Sequence, residues 1–227
     1  MNRASYIDVP GFGERLIRLL YPEKCVFCGE LLPEAAPLSV CESCYSNLPR
    51  CRMDFAGARQ IPQLDGLFAA FLYEEPIKRA IHDMKFHSRP RTARTLACLI
   101  WEEMSKHTVI PDVDLIVPVP MHSRRRINRG YNQSAEIGKT LGRIMKIPVK
   151  NALAKIRHTK PQSLSTREER LKNLENSIIV RYPTAVRGLS VLLADDVVTT
   201  GATLSTCAGA LKEAGAEWVF AVVIATA

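Results

Sequence analysis

The chain has 227 residues, room for one full α/β domain and a small extra module. With 47% hydrophobic and 24% charged residues the composition is ordinary for a globular protein. No apolar run reaches the ~18 residues of a membrane span, so helical membrane proteins are excluded. The net charge of +8 is uneven: residues 122–172 hold 14 Lys/Arg against 3 Asp/Glu, which is +11, and leave 17 against 20, or −3, elsewhere. Such a segment is either a solvated face or the seat of a phosphate-rich ligand, whether pyrophosphate, nucleic acid or both.

In chain order, the first residues lack the roughly 7–15-residue apolar core of a secretory signal, which predicts a cytoplasmic protein. Leu16, Ile17, Leu19 and Leu20 suggest a short amphipathic helix stopped at Pro22. In a reducing compartment the seven cysteines are expected as metal ligands or buried thiols rather than disulfides. Cys25, Cys28, Cys41 and Cys44 follow the pattern C-x2-C-x12-C-x2-C. Two thiolates two residues apart grip one ion from a tight knuckle, and two knuckles complete a tetrahedron. The symmetrical spacing favours zinc over an iron–sulfur cluster, and four thiolates leave no open position, so the site is read as structural. So small a module has little apolar residue of its own and draws its stability from the metal. Cys51 is a spare thiol nearby. These features divide the chain into a zinc-ribbon module with its leading helix, 1–60, and an α/β domain, 61–227.

Residues 53–62 read as a linker and 67–73 (LFAAFLY) as a strand. A helix carrying Ile77, Ile81 and Met84 follows, then a second over about 92–106 with Leu96, Leu99, Ile100 and Met104 on its apolar stripe. Cys98 shares that stripe as a buried thiol. Lys85 is a weak candidate for a phosphate contact, because a cation at a helix C-terminus is commonplace. Residues 114–122 form a strand running into a proline-stiffened turn, Pro118-Val119-Pro120-Met121-His122, with Arg124, Arg125 and Arg126 directly after it. In open α/β sheets, ligands bind at such turns on the carboxyl edge. Arg129-Gly130-Tyr131-Asn132-Gln133 leads into a helix through Ile137, Leu141 and Ile144. The basic stretch from Lys155, with Lys160, Gln162 and Arg167, reads either as a flap over a phosphate-bearing site or as a solvated basic loop.

The stretch 190–204 (SVLLADDVVTTGATL) carries the clearest chemistry. The apolar run 191–194 has the length of a buried strand and ends in Asp195 and Asp196. Thr199, Thr200, Gly201, Ala202 and Thr203 form a hydroxyl-rich turn. A helix with Leu204, Cys207 and Leu211 follows, closed by Gly215 as a C′ residue. Unsatisfied N–H groups and the helix dipole seat a phosphate at this helix start. Two adjacent carboxylates repel phosphate and suit vicinal hydroxyls, or hydroxyls shared with Mg²⁺. A sugar phosphate meets both demands.

Four apolar residues, two acids, two apolar residues and T-T-G-x-T resemble the 5-phosphoribosyl-1-pyrophosphate (PRPP) signature of type I phosphoribosyltransferases. The small Ala194 is a mild departure that bears on packing. The resemblance implies that Asp195 and Asp196 hold the ribose, that Thr199 to Thr203 hold the 5′-phosphate, and that the turn from Pro118 to His122, with Arg125, takes pyrophosphate in the presence of Mg²⁺. The four-cysteine finger, P-V-P, R-R-x-x-R-G-Y-N-Q and T-K-x-Q-x-x-L-x-x-x-x-R-x-x-N together are similar to the ComF family of competence proteins over nearly the full length. That similarity implies a type I phosphoribosyltransferase-like fold, a mostly parallel sheet with helices on both faces, preceded by a zinc ribbon. It also implies work on single-stranded DNA in natural transformation beside a helicase-like partner, with phosphoribosyl transfer an open question. Two alternatives stand beside it. One is a conventional nucleobase phosphoribosyltransferase of salvage, although such enzymes resemble one another in placing base-recognition residues beyond the strand read here at 218–224. The other is a zinc-dependent scaffold with a vestigial PRPP site.

Overall fold

A computed structural model of the chain describes residues 22–33, 36, 38–51, 55, 61–86, 90–106, 109–122, 127, 129–156 and 178–227. The expected helix around Leu16 to Leu20, the arginines 124–126, and the flap residues Lys160, Gln162 and Arg167 lie outside them.

Four strands form the central sheet: β1 (Gly66–Leu72), β2 (Leu115–Pro118), β5 (Ser190–Val198) and β6 (Trp218–Thr226). They stand in the order β1-β6-β5-β2, and every neighbouring pair is parallel. Strands buried on both faces read as continuous apolar runs, and side chains alternate between the faces with period two. Phe68, Ala70, Ile116, Leu192, Ala194, Val222 and Ile224 point into one core. Leu67, Ala69, Leu115, Val117, Val191, Leu193, Ala221 and Val223 point into the other.

After the short helix α1 (Glu42–Ser46) of the cysteine module, α2 (Ile77–Phe86), α3 (Pro90–Met104) and α4 (Gln133–Met145) cover the first core. Their buried residues Ile77, Ile81, Met84, Leu96, Ile100, Ile137 and Leu141 recur at three- and four-residue spacing. The helix α3 begins at Pro90, two residues before the expected start, where proline's fixed φ suits a first turn. The second core is covered by α5 (Ala202–Glu213) through Leu204, Cys207, Ala208 and Leu211. Its end is a Schellman motif: Ala216 N–H donates to the Leu211 carbonyl and Gly215 N–H to that of Lys212, with Gly215 at φ 96°.

The chain thus leaves β2 for one face and leaves its neighbour β5 for the other. That divergence makes a crevice at the carboxyl edge between them, the switch point of a doubly wound sheet.

Three departures from the sequence reading matter here. β5 does not stop at the acids; pairing with β6 continues through Asp195↔Val223 to Val198↔Thr226, because β6 is equally long and satisfies the ladder. The basic stretch springs from a small antiparallel pair, β3 (Leu153–Lys155) with β4 (Ile178–Val180), in which Lys155 faces Ile178. Two residues of the expected linker are anchored in the fold. Phe55 is buried with its ring 5.8 Å from Phe68 and 6.0 Å from Phe220, and Ile61 packs on Gly201. Aromatic and branched side chains gain too much from burial to be left in a solvated linker.

The cysteine module docks on the α2–α3 side. Phe27, Leu32 and Leu48 enter the same core as α2 and α3. Residues 49–51 run along the outer edge of β1: Cys51 N–H donates to the Ala70 carbonyl at 2.9 Å, and Leu72 N–H to that of Pro49 at 2.8 Å. The edge strand is thereby covered.

Candidate functional site

A cleft of about 200 Å³ opens at the crevice between β2 and β5. Asp195, Asp196 and Ser134 line it, together with Val119 to His122 of the proline turn. Five further residues face it: Lys85, Arg129, Asn132, Lys155 and Thr203. The acid pair and one threonine of the hydroxyl-rich turn, both from the stretch 190–204, therefore meet the proline turn, about 75 residues earlier, in one place.

The acids are held differently. Asp195 Oδ1 accepts from Ser134 Oγ and from the Asp196 backbone N–H, each at 2.9 Å. Asp196 Oδ2 lies 2.9 Å from Lys85 Nζ. Burial, and after it the Asp196 charge, pushes the Asp195 carboxyl up to about 7, against the pull of those hydrogen bonds and of Lys85. Lys85, a weak candidate in the sequence, is thus in an ion pair with the second acid. Its placement follows from α2 ending at the carboxyl edge. Lys155, the first residue of the stretch read as a flap over a phosphate-bearing site, faces the cleft; Ser134 was not foreseen, because nothing in a single serine marks it as facing this cleft.

The R-G-Y-N-Q segment supports the site as well as continuing into it. Asn132 caps α4, its Oδ1 accepting from Ser134 N–H at 3.2 Å, while its Nδ2 donates to the Val119 carbonyl at 3.1 Å. One residue thereby fixes both the helix that carries Ser134 and the proline turn. Gly130 adopts φ 76°, and Tyr131 donates its hydroxyl to the Met84 carbonyl at 2.7 Å. Behind the turn, a Cβ on Gly138 would come within 3.1 Å of Pro118 Cγ, so α4 approaches β2 closely.

On the hydroxyl-rich turn, Thr199 and Thr200 are exposed and Gly201 is buried. Gly201 caps α5 at φ 75°, and a Cβ there would stand 2.7 Å from Ile61 Cδ1. Only glycine meets both conditions. Thr200 Oγ1 accepts from Ala202 N–H at 3.4 Å. Ala202 and Thr203 open the helix, where the first-turn N–H groups have no partner within it.

Away from the cleft, the sulfurs of Cys25, Cys28, Cys41 and Cys44 all lie within 4.8 Å of one another. Cys28 and Cys41 sulfurs are 3.7 Å apart. A zinc–sulfur bond of ~2.3 Å implies a tetrahedron with edges of ~3.8 Å, so the set has the size such an ion needs. Knuckle hydrogen bonds are in place: Cys41 N–H donates to Cys25 Sγ at 3.4 Å and Cys44 N–H to Cys41 Sγ at 3.5 Å. Gly29 makes the first turn at φ 79°. Burial opposes ionisation of Cys25, yet N–H groups of Cys28, Cys41 and Phe27 bring its thiol down to about 7. Burial, then the neighbouring thiols, pushes Cys44 up. Four crowded thiols resist losing all their protons until a cation compensates them. The cluster could hold a metal such as zinc. The spare Cys51 packs against the second core, and Cys98 is largely buried, its thiol pushed up to about 11 by burial and then by Glu102.

No family model matches the chain. Single relatives do. Over 199 residues, 86% of this chain and 80% of the relative, it is 31% identical to the DNA utilization protein YhgH of Salmonella typhi. It is 30% identical over 168 residues to competence protein F of Haemophilus influenzae, covering 70% of this chain and 72% of that one. The chain belongs to the ComF competence-protein family. The ComF relative ComFC of Bacillus subtilis is 29% identical over 148 residues. Among solved structures, glutamine PRPP amidotransferase from B. subtilis matches 60% of this ComF chain at 20% identity and a TM-score of 0.38. No helix among the described residues is long and apolar enough to cross a membrane.

Proposed function

We propose that this ComF-family chain is a cytoplasmic PRPP-binding protein that acts on single-stranded DNA during its uptake or use. The observation that carries the reading is the convergence of Asp195, Asp196, Thr203 and the proline turn on one cleft. Asp195 and Asp196 accept from the ribose hydroxyls. The 5′-phosphate sits in the turn from Thr199 to Thr203, against the N–H groups that open α5. The pyrophosphate lies along Pro118 to His122, where Arg129 and Lys155 neutralise it. Mg²⁺ bound with PRPP supplies further charge neutralisation.

Lys85 gives the free site a reason to be stable. With PRPP absent it compensates Asp196; with the ribose on that carboxylate, its ammonium lies within reach of the incoming phosphates. The DNA part of the reading is supported by the +11 segment, most of which exceeds what one sugar phosphate needs, and by relatives named for competence and DNA utilization.

Titration calorimetry with PRPP and Mg²⁺ tests the nucleotide part. Binding is expected in the wild type and a loss of at least tenfold in Asp196→Asn, which keeps the shape and removes the charge. No heat in the wild type, or an unchanged affinity in the variant, overturns it. Binding of a fluorescent oligonucleotide over a salt series tests the DNA part, with a steep loss of affinity as salt rises.

A further inference from the structure

The proposed function gives the cleft a ribose and phosphates and assigns no residue to a base. The rim supplies one. Phe86 is the residue after Lys85, at the last position of α2, and it is 62% exposed. Burial would be the ordinary fate of a phenylalanine on a helix whose other apolar residues are all buried. Its ring instead takes the Arg129 guanidinium at 5.4 Å and the His82 imidazole at 4.6 Å, tilted by 36°. Arg129 and Lys85 both line the cleft. Ile127, two residues before Arg129, is 79% exposed. An aromatic ring 62% exposed, flanked by a guanidinium and with a lysine one residue away in the cleft, is the arrangement on which unpaired bases stack.

We infer that Phe86, backed by Arg129 and His82, is a stacking platform for an unpaired base of single-stranded DNA at the mouth of the cleft. This rests on the DNA part of the proposed function. Charge selects a strand over a free base as the occupant. A free nucleobase is neutral and gains nothing from Lys85, Arg129 and Lys155 around the cleft, whereas the phosphates of a strand do. A polyanion crossing the rim meets both features at once: phosphates on the cations, one base on the ring. The strand then enters beside the ribose site, so that a base is held next to bound PRPP.

The test measures fluorescence anisotropy with oligothymidylate and with an abasic oligonucleotide of the same length. Phe86→Ala is expected to weaken oligothymidylate binding about tenfold and to leave the abasic strand unchanged, since only the former has bases to stack. Phe86→Trp is expected to restore affinity and to show indole fluorescence quenched by oligothymidylate but not by the abasic strand. A Tm and a far-ultraviolet circular dichroism spectrum of Phe86→Ala that match the wild type verify the fold. Equal loss for both strands, no loss for either, or a tryptophan that is not quenched overturns the platform while leaving DNA binding intact. A wild type that binds neither strand, with PRPP heat present, overturns the DNA reading and the platform with it.

Discussion

Removing the charge of Asp195 should make the protein more stable, and more so at high pH than at low. The carboxyl is raised from 3.8 to about 7, first by burial and then by Asp196. Between those values the folded chain holds a proton that the unfolded chain has lost, so stability falls as pH rises through this window. Above both values the full cost applies, ~4 kcal/mol at ~1.4 kcal/mol per tenfold in proton affinity. Solvent reaches the partly exposed carboxyl and the unfolded chain is not fully extended, which brings the expectation to ~2 kcal/mol. Asp195→Asn keeps Oδ1 as the acceptor for Ser134 and for Asp196 N–H. At pH 8 its Tm should exceed the wild-type value by ~4–8 °C, taking ~2–4 °C per kcal/mol for a chain of this size. At pH 5 only the interval from 3.8 to 5 contributes, and the gain should shrink to about a third of that. Differential scanning calorimetry at the two pH values decides the matter. A gain equal at both, larger at pH 5, or absent would show that the acid pair is not strained by its own charge, and the account of the cleft's electrostatics would fail.

The metal and the tight turn give two further expectations. Elemental analysis should find one zinc per chain, and Cys41→Ser or prolonged chelation should lower Tm by at least ~5 °C, because binding free energy at a tetrathiolate site is folding free energy; a metal-free protein of unchanged Tm would refute the assignment. Gly201→Ala must strain a φ of 75° and drive a methyl to within 2.7 Å of Ile61. It should cost ~1–3 kcal/mol and weaken PRPP binding, with Ile61→Ala in the same chain restoring part of the stability and none of the backbone strain.

Much of the fold was legible because the chemistry is local. The run 191–194 has the length and branching of a buried strand, and the stripes of α2, α3 and α4 are strictly periodic, so these elements could be placed from spacing alone. The four cysteines carry their geometry in their intervals. What escaped was tertiary. That β5 extends past its two acids depends on β6 being long enough to pair with them. That Phe55 and Ile61 are docked depends on Phe68, Phe220 and Gly201, each far away in sequence. β3 and β4 are three residues each and visible only as a pair. At the site, motif residues were read from the sequence, whereas Lys85, Ser134 and Phe86 belong to no motif and reach the cleft only because α2 and α4 deliver them to the sheet's carboxyl edge.

That delivery explains why two motifs remote from the acid pair bear on it. Arg79, on the third residue of α2, donates to the Phe27 carbonyl between the two cysteines of the first knuckle. On α3, Glu102 accepts from the Tyr45 hydroxyl, and Glu103 pairs with Arg50 at 3.1 Å. The far end of α2 is held by Tyr131 of the R-G-Y-N-Q turn, whose hydroxyl binds the Met84 carbonyl at 2.7 Å. A ten-residue helix fixed near both ends has little freedom to slide. Its next residue after Met84 is Lys85, the cation that compensates Asp196 and draws Asp195 downward. The cysteine module therefore does more than cover the edge of β1: by gripping α2 and α3 it helps set where the Lys85 ammonium stands, 2.9 Å from Asp196 and beside Asp195.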